Sequence, residues 1–156
     1  MIIIGYQGIG KSTTVRHNPG RKFVDLESSN FWVDGKRSED WYKVYCQIAL
    51  DLSSQGFIVF TSSHKEVRDW FINNETGTEK IYTCSPDITL KDQWIDKLRK
   101  RYEATKLEKD YKAWMNAEHC FIENVSDIQR DGELLSGNII AHQTFYDLKK
   151  LILSVF

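Results

Sequence analysis

Charge of one sign, proline, cysteine and long apolar runs are all scarce in this 156-residue chain. Basic and acidic residues number 21 and 22, giving a net charge of −1. No global field therefore draws the chain to nucleic acid or to an anionic membrane, which leaves nucleic acid as a disfavoured partner. Two prolines and no low-complexity stretch argue against a disordered tail or linker. The three cysteines, Cys46, Cys84 and Cys120, are odd in number, far apart and in no metal-ligand spacing. They read as reduced thiols of a cytoplasmic protein rather than a disulfide framework. No apolar run approaches the roughly 20 residues of a membrane span, and the short one at the N-terminus is no secretory leader. No internal repeat is visible. The length fits a single domain over 1–156 that buries about two-thirds of the surface its unfolded chain would expose.

What is present begins at the first residue. MIIIGYQGIGKS is an apolar strand, then G-x-x-x-x-G-K-S from Gly5 to Ser12, then a helix start. That is the context a phosphate-binding loop needs. Gly5, Gly8 and Gly10 let the backbone turn sharply and bring N–H groups to an anion, with Ile9 and Thr13 in the same cradle. Lys11 is placed to reach the β and γ phosphates of ATP, and the Ser12 hydroxyl to ligate Mg²⁺. The helix start adds its positive end to the same site.

Downstream, strand and helix alternate. Strands are expected at 22–26, 57–61 (FIVFT) and 80–84, with a last one at 120–123. Asp34-Gly35 reads as a turn, and residues 74–77 as another. Helices are expected at 11–17, at 39–53 capped by Ser38, at 64–73, and at 90–102 capped by Thr89. Two more are expected at about 107–118 and 143–155. The alternation predicts an α/β fold, a three-layer arrangement around a mostly parallel five-stranded sheet. In such sheets ligands sit beyond the carboxyl ends of the strands, so the residues there are the candidates.

Asp25 ends the second strand and is the best available carboxylate, for a Mg²⁺-bound water or for the acceptor hydroxyl; capping the next turn is the equally open alternative. Ser28 follows it. FIVFTSS carries no acidic residue, which leaves more of the metal work to Asp25 and Ser12. His64 lies beside the same edge. Arg68, one turn into the following helix, is within reach of an acceptor phosphate. Lys97-Leu-Arg99-Lys100-Arg101 is a cationic run on a helix, with Lys97 and Arg101 on one face. Arg99 and Arg101 are candidates to close over transferring phosphates.

A phosphate loop after the first strand, Asp25 after the second, Arg68 after the third and an arginine-bearing helix after the fourth resemble the P-loop nucleoside monophosphate kinases of adenylate-kinase-like type. FVDLESSNF, FTSSHKEVRDWF and the run from Leu90 to Arg101 are similar to small kinase-like proteins of phages and prophages, a source that would place the chain in a host cytoplasm. The resemblance implies a central first strand and a helical lid at about 90–118. It also implies transfer of the ATP γ-phosphate to a nucleoside or deoxynucleoside monophosphate. By position Lys11 and Ser12 would hold ATP and Mg²⁺, Asp25 would serve metal or acceptor, Arg68 the acceptor phosphate, and Arg99 and Arg101 the lid. A polynucleotide 5′-kinase and a nucleotide-binding regulatory module with little turnover remain alternatives. The oligomeric state is open.

Overall fold

The computed structural model describes residues 1–74 and 77–155, so the turn expected at 74–77 lies partly outside the described residues. Five strands form one parallel sheet: β1 (Ile2–Gly5), β2 (Phe23–Asp25), β5 (Ile58–Thr61), β6 (Ile81–Pro86) and β7 (Gly137–Ala141). Their order is β2-β5-β1-β6-β7, with the first strand central. Because every pairing is parallel, the ends of β1, β2, β5 and β6 all open on one edge.

β1 is an apolar run because both of its faces are covered. Ile3 points into a core with Phe60, Cys84 and Ile139, which runs on through Tyr6 and Ile9 to Trp94 and Leu98. Ile2 and Ile4 point the other way, to Val59, Val67, Phe71 and Ile81. Six helices complete the layers: α1 (Lys11–His17), α2 (Trp41–Ser54), α3 (Lys65–Asn74), α4 (Lys91–Thr105), α5 (Glu108–Glu133) and α6 (Leu148–Leu153). α1 packs on α6, α2 on α3, and α4 on α5.

Four expectations need correction. Residues 120–123 are not a strand but the middle of α5, which runs for 26 residues with one non-helical residue, Cys120. The apolar segment belongs to a helical stripe, Ala113, Ala117, Phe121, Val125 and Ile128, all buried. The last strand is instead Gly137–Ala141. Asp87 caps a 3₁₀ turn (Ile88–Leu90) before α4, its side chain accepting from the Thr89 N–H; α4 itself begins after Leu90 with no side-chain cap, so Thr89 is not its cap. Nor is Ser38 the cap of α2, which begins after Asp40 with no side-chain cap. The closing helix is six residues long and is capped by Asp147, so residues 143–146 are loop.

One further element sits where only a turn is expected. Asp34 and Gly35 both have positive φ (53° and 78°). They close a hairpin in which β3 (Trp32–Val33) pairs with β4 (Lys36–Arg37), Trp32 opposite Arg37.

Candidate functional site

The loop after β1 is shaped by glycine. Gly8 and Gly10 take φ of 81° and 107°, a region that penalises any Cβ. A Cβ on Gly8 would also lie 3.0 Å from Leu98 and 3.2 Å from the Trp94 indole, so α4 packs directly on the loop. Two side chains hold its backbone from outside, and one of its own reaches out to α5. Trp94 Nε1 donates to Gln7 O (2.9 Å), and the Tyr146 hydroxyl donates to Ile9 O (2.6 Å). Gln7 Nε2 donates to Ala113 O (3.2 Å) and to Asn116 Oδ1 (2.9 Å) on α5. Lys11 leaves the loop half-buried and donates from Nζ to Gly5 O (2.7 Å), folding back over the strand end. Ser12 and Thr13 open α1 with exposed hydroxyls.

The charges of Asp25 and Glu27 act on Lys11. Burial lowers the Lys11 pKa, and the fields of Asp25 and Glu27 only partly restore it. Burial raises the Asp25 pKa, opposed by Lys11. The two shifts run towards each other, so ammonium and carboxylate are both pulled towards neutrality by a shared dry environment. The carboxylate is thereby a better proton acceptor than an ordinary aspartate.

Beyond Asp25, β2, α2 and the end of β5 are tied together. The Tyr45 hydroxyl donates to Leu26 O (2.6 Å) and accepts from Ser62 N–H (2.7 Å). His64 Nδ1 meets Ser62 Oγ at 2.8 Å, and its Nε2 meets Arg37 Nη2 at 3.1 Å. A guanidinium can only donate, so Nε2 accepts and the ring proton sits on Nδ1. Burial, then the charge of Arg37, pushes the His64 pKa down to about 4, and the ring is neutral at physiological pH. Ser28 opens the short 3₁₀ turn after Glu27 (Ser28–Phe31), next to the same cleft.

The arginine candidates separate. Arg68 is buried: it donates from Nε to Ser63 O (3.0 Å) and pairs through Nη1 with the buried Asp131 of α5. Its guanidinium is committed to holding α3, the 62–64 loop and α5 together, which takes it out of the expected role on an acceptor phosphate. Arg101 lies within the field of Lys11. Its Nη2 pairs with Asp110 at 2.8 Å, and Asp110 is itself buried with Thr105 donating to its other oxygen. Arg99 points elsewhere, into surface pairs with Asp96 and Glu103. Two residues apart on a helix are about 200° apart, so the two arginines cannot share a face.

Sequence reasoning missed Glu27, Arg37 and Tyr45, and also the loop after β7. There Lys97 Nζ donates to Thr144 O (3.0 Å) and lies 4.3 Å from the Trp94 ring centroid and 5.6 Å from that of Tyr146. Burial and nearby Arg101 bring its pKa down to about 8. A groove of about 580 Å³ opens here between α4 and residues 142–145.

The residues present fit a magnesium nucleotide. The loop offers left-handed backbone at Gly8 and Gly10, the ammonium of Lys11 and the free hydroxyl of Ser12. The described residues contain no cluster of three or more acidic, histidine or cysteine ligands that could hold a metal alone. Mg²⁺ in phosphate sites commonly rests on one or two protein oxygens plus the phosphates and water, so this donor set suffices. Among the described residues no helix is long and apolar enough to cross a membrane.

No protein-family model matches the chain, and no curated protein matches it in sequence. Solved structures do match in shape. Shikimate kinase from Acinetobacter baumannii in complex with shikimate superposes with a TM-score of 0.53 at 15% identity, over 99% of this chain and 88% of that one. Shikimate kinase from Bacteroides thetaiotaomicron gives 0.49 at 10% identity, over 99% and 94%. A gluconokinase from Sinorhizobium meliloti gives 0.46 at 14% identity, over 99% and 93%. At these identities the likeness is one of fold alone.

Proposed function

We propose that this protein is an ATP- and Mg²⁺-dependent phosphotransferase that moves the γ-phosphoryl group to a hydroxyl of a small acceptor. The observation that carries the reading is the pairing of a complete phosphate loop with a half-dry carboxylate, Asp25, in the field of Lys11. The neighbouring fold of shikimate kinase agrees with it.

In the transfer, the acceptor oxygen bonds to the γ-phosphorus while the bond to the β–γ bridging oxygen breaks and ADP leaves. Asp25 takes the hydroxyl proton, or holds the water that does, and its raised pKa suits that task. Lys11 compensates charge on the transferring oxygens, and Arg101, whose charge acts on Lys11, is the second cation for that task. When bound with ATP at Ser12, Mg²⁺ neutralises the β and γ phosphates.

A nucleoside or deoxynucleoside monophosphate is the acceptor that the sequence suggests. Because Arg68 is spent on Asp131, such an acceptor would have to place its phosphate on Arg37 instead. The test is ADP formation from ATP and Mg²⁺ over a panel of nucleoside monophosphates, polyols and hydroxy acids, with products separated by chromatography. Acceptor-dependent ADP is expected. ATP binding without turnover on any acceptor, a 5′-hydroxyl oligonucleotide included, would replace this reading by that of a nucleotide-binding regulatory module.

A further inference from the structure

Two side chains aim the phosphate loop from outside it. Buried Trp94 donates to Gln7 O at 2.9 Å, and half-buried Tyr146 donates to Ile9 O at 2.6 Å. In a planar trans peptide the C=O and the next N–H point opposite ways. Drawing these two carbonyls towards α4 and residues 142–146 therefore turns the N–H groups of Gly8 and Gly10 away from those supports. Gly8 and Gly10 are the positive-φ residues of the loop. Among the described residues neither N–H donates to a protein acceptor, so both are left for an anion. The set of the loop thus depends on how Trp94 and Tyr146 stand relative to each other.

The two supports come from distant segments, and Lys97 lies against both. Its Nζ is 4.3 Å from the Trp94 ring centroid and 5.6 Å from that of Tyr146, and it donates to Thr144 O at 3.0 Å. Thr144 Oγ1 also meets Gln93 Oε1 at 3.4 Å, so Gln93 and Lys97, one turn apart on α4, grip the same residue of the loop after β7. Lys97 forms no ion pair among the described residues. The neighbouring Asp96 is engaged by Arg99 and Lys100. A half-buried ammonium without a carboxylate is costly wherever its other partners part. Aromatic faces attract it through their quadrupoles, so the charge is best satisfied when α4 and the loop stay together.

We propose that Lys97 is a positioning residue for the phosphate loop. Its ammonium, shared by Trp94 and Tyr146 and bonded to Thr144 O, holds together the two side chains that aim the Gly8 and Gly10 N–H groups at a polyphosphate. Lys97 itself touches no ligand. This deepens the nucleotide half of the phosphotransferase reading: it rests on polyphosphate binding at the loop, and not on transfer to an acceptor.

The experiment compares the full chain with Lys97→Met, which keeps the apolar stem but not the charge, and Lys97→Arg, which keeps a cation and a donor. Each is titrated with Mg²⁺ and either ATP or inorganic tripolyphosphate by calorimetry, and the Gly8 and Gly10 amides are followed by NMR. Lys97→Met should weaken both ligands alike, by about fivefold or more, and Lys97→Arg should recover most of that affinity. The two glycine amides should move downfield on binding in the wild type and less in Lys97→Met. Burial and Arg101 bring the Lys97 pKa to about 8, whereas a guanidinium keeps its charge. Wild-type affinity should therefore fall more steeply than that of Lys97→Arg from about pH 7 to about pH 9. Lys11, the ligand, and the charged groups around Lys97 (Asp96, Lys100 and Arg101 on α4, His142 and Tyr146 across from it) are common to both proteins and cancel. A loss confined to ATP would set Lys97 against the nucleoside and overturn the proposal. Unchanged affinity in Lys97→Met, or equal losses in Met and Arg, would overturn it too. If Lys97→Met does not fold, parallel pH profiles of wild type and Lys97→Arg would do the same. Lys97-dependent polyphosphate binding with no ADP from any acceptor would uphold it and overturn the phosphotransferase reading. ADP formation with a Lys97→Met affinity equal to the wild type's would do the reverse, and a wild type that binds neither ligand would overturn both.

Discussion

The phosphate loop and the proposed acceptor cleft both gather at the ends of β1, β2 and β5, but they are made of different materials. The loop is eight consecutive residues, Gly5 to Ser12, and its binding groups are mostly backbone, shaped by positive φ at Gly8 and Gly10. The cleft draws Asp25, Glu27, Arg37, Tyr45, Ser62 and His64 from four separate segments, and its binding groups are side chains. A backbone cradle suits a group that every nucleoside triphosphate shares. A cage of side chains can tell one acceptor from another, and it changes with single substitutions. Conserving the chemistry of transfer while changing the acceptor therefore needs changes on one side only.

The supports differ as well. Behind the loop stand core residues, Trp94, Leu98, Tyr146 and Leu148, so its geometry is fixed by close packing. Behind the cleft stands a two-plus-two-residue hairpin on the surface, held to α2 by Arg37 over Trp41 and to α5 by Lys112, whose Nζ lies 4.5 Å from the Trp32 ring centroid. The acceptor side is the one that can move without disturbing the core.

Removing Lys11 is the hardest blow to the loop half. Lys11→Ala should lower kcat by about 10³-fold, since it deletes the cation nearest the transferring group. A steady-state assay that finds less than a tenfold loss would move the transfer site away from the loop. The strongest effect on the other half is one of stability, not chemistry. Arg68→Ala leaves Asp131 buried without its partner, which should cost about 3 kcal/mol. Urea unfolding would register that loss. A stable Arg68→Ala protein with weakened acceptor binding would instead return Arg68 to the substrate.

How far the molecule could be read from its sequence follows the same division. G-x-x-x-x-G-K-S is legible because a phosphate cradle needs glycine at fixed steps, and a fixed step is a pattern. The central strand and the parallel sheet follow from apolar runs alternating with helical spacing. Arg68 misleads because position along a helix does not disclose a partner 63 residues away; only the fold brings Asp131 to it. Arg37 went unseen although Asp34-Gly35 was visible as a turn. In a two-residue hairpin loop the flanking residues pair, so Trp32 had to face Arg37. Residues 120–123 read as a strand because a short apolar run such as Cys120-Phe-Ile122 looks the same in a buried helix, and only the stripe from Ala113 to Ile128 distinguishes them.

Asp25 lies on the seam between the halves, and its substitution should separate chemistry from stability. Asp25→Asn should reduce kcat by roughly 10²-fold while leaving ATP affinity nearly unchanged. Its effect on folding has the opposite sign. The folded pKa is raised by burial, so the folded chain binds this proton more readily than the unfolded one. Asp25 therefore contributes stability at low pH, and loses it as pH rises through the folded value. At neutral pH the ionised carboxylate is a burden, and the amide should raise Tm by about 2 °C. A variant both inactive and less stable would make Asp25 a structural carboxylate. For the wild type, kcat should fall on the acid side with an apparent pKa above the ordinary aspartate value of 3.8.

The smallest effects come from α4, where two arginines make an internal control. Arg101→Ala should lower kcat roughly tenfold, because Arg101 shares the field of Lys11 and is held there by Asp110. Arg99→Ala should change kcat by less than about twofold, because its partners Asp96 and Glu103 are surface carboxylates on its own helix and such pairs contribute little. Asp110→Asn adds the sharper comparison. If Asp110 positions Arg101, the variant should lose kcat nearly as Arg101→Ala does, and the double variant should lose little more than either alone. Equal losses for Arg99→Ala and Arg101→Ala would mean that α4 acts through its overall charge, with neither arginine directed at the transferring phosphate.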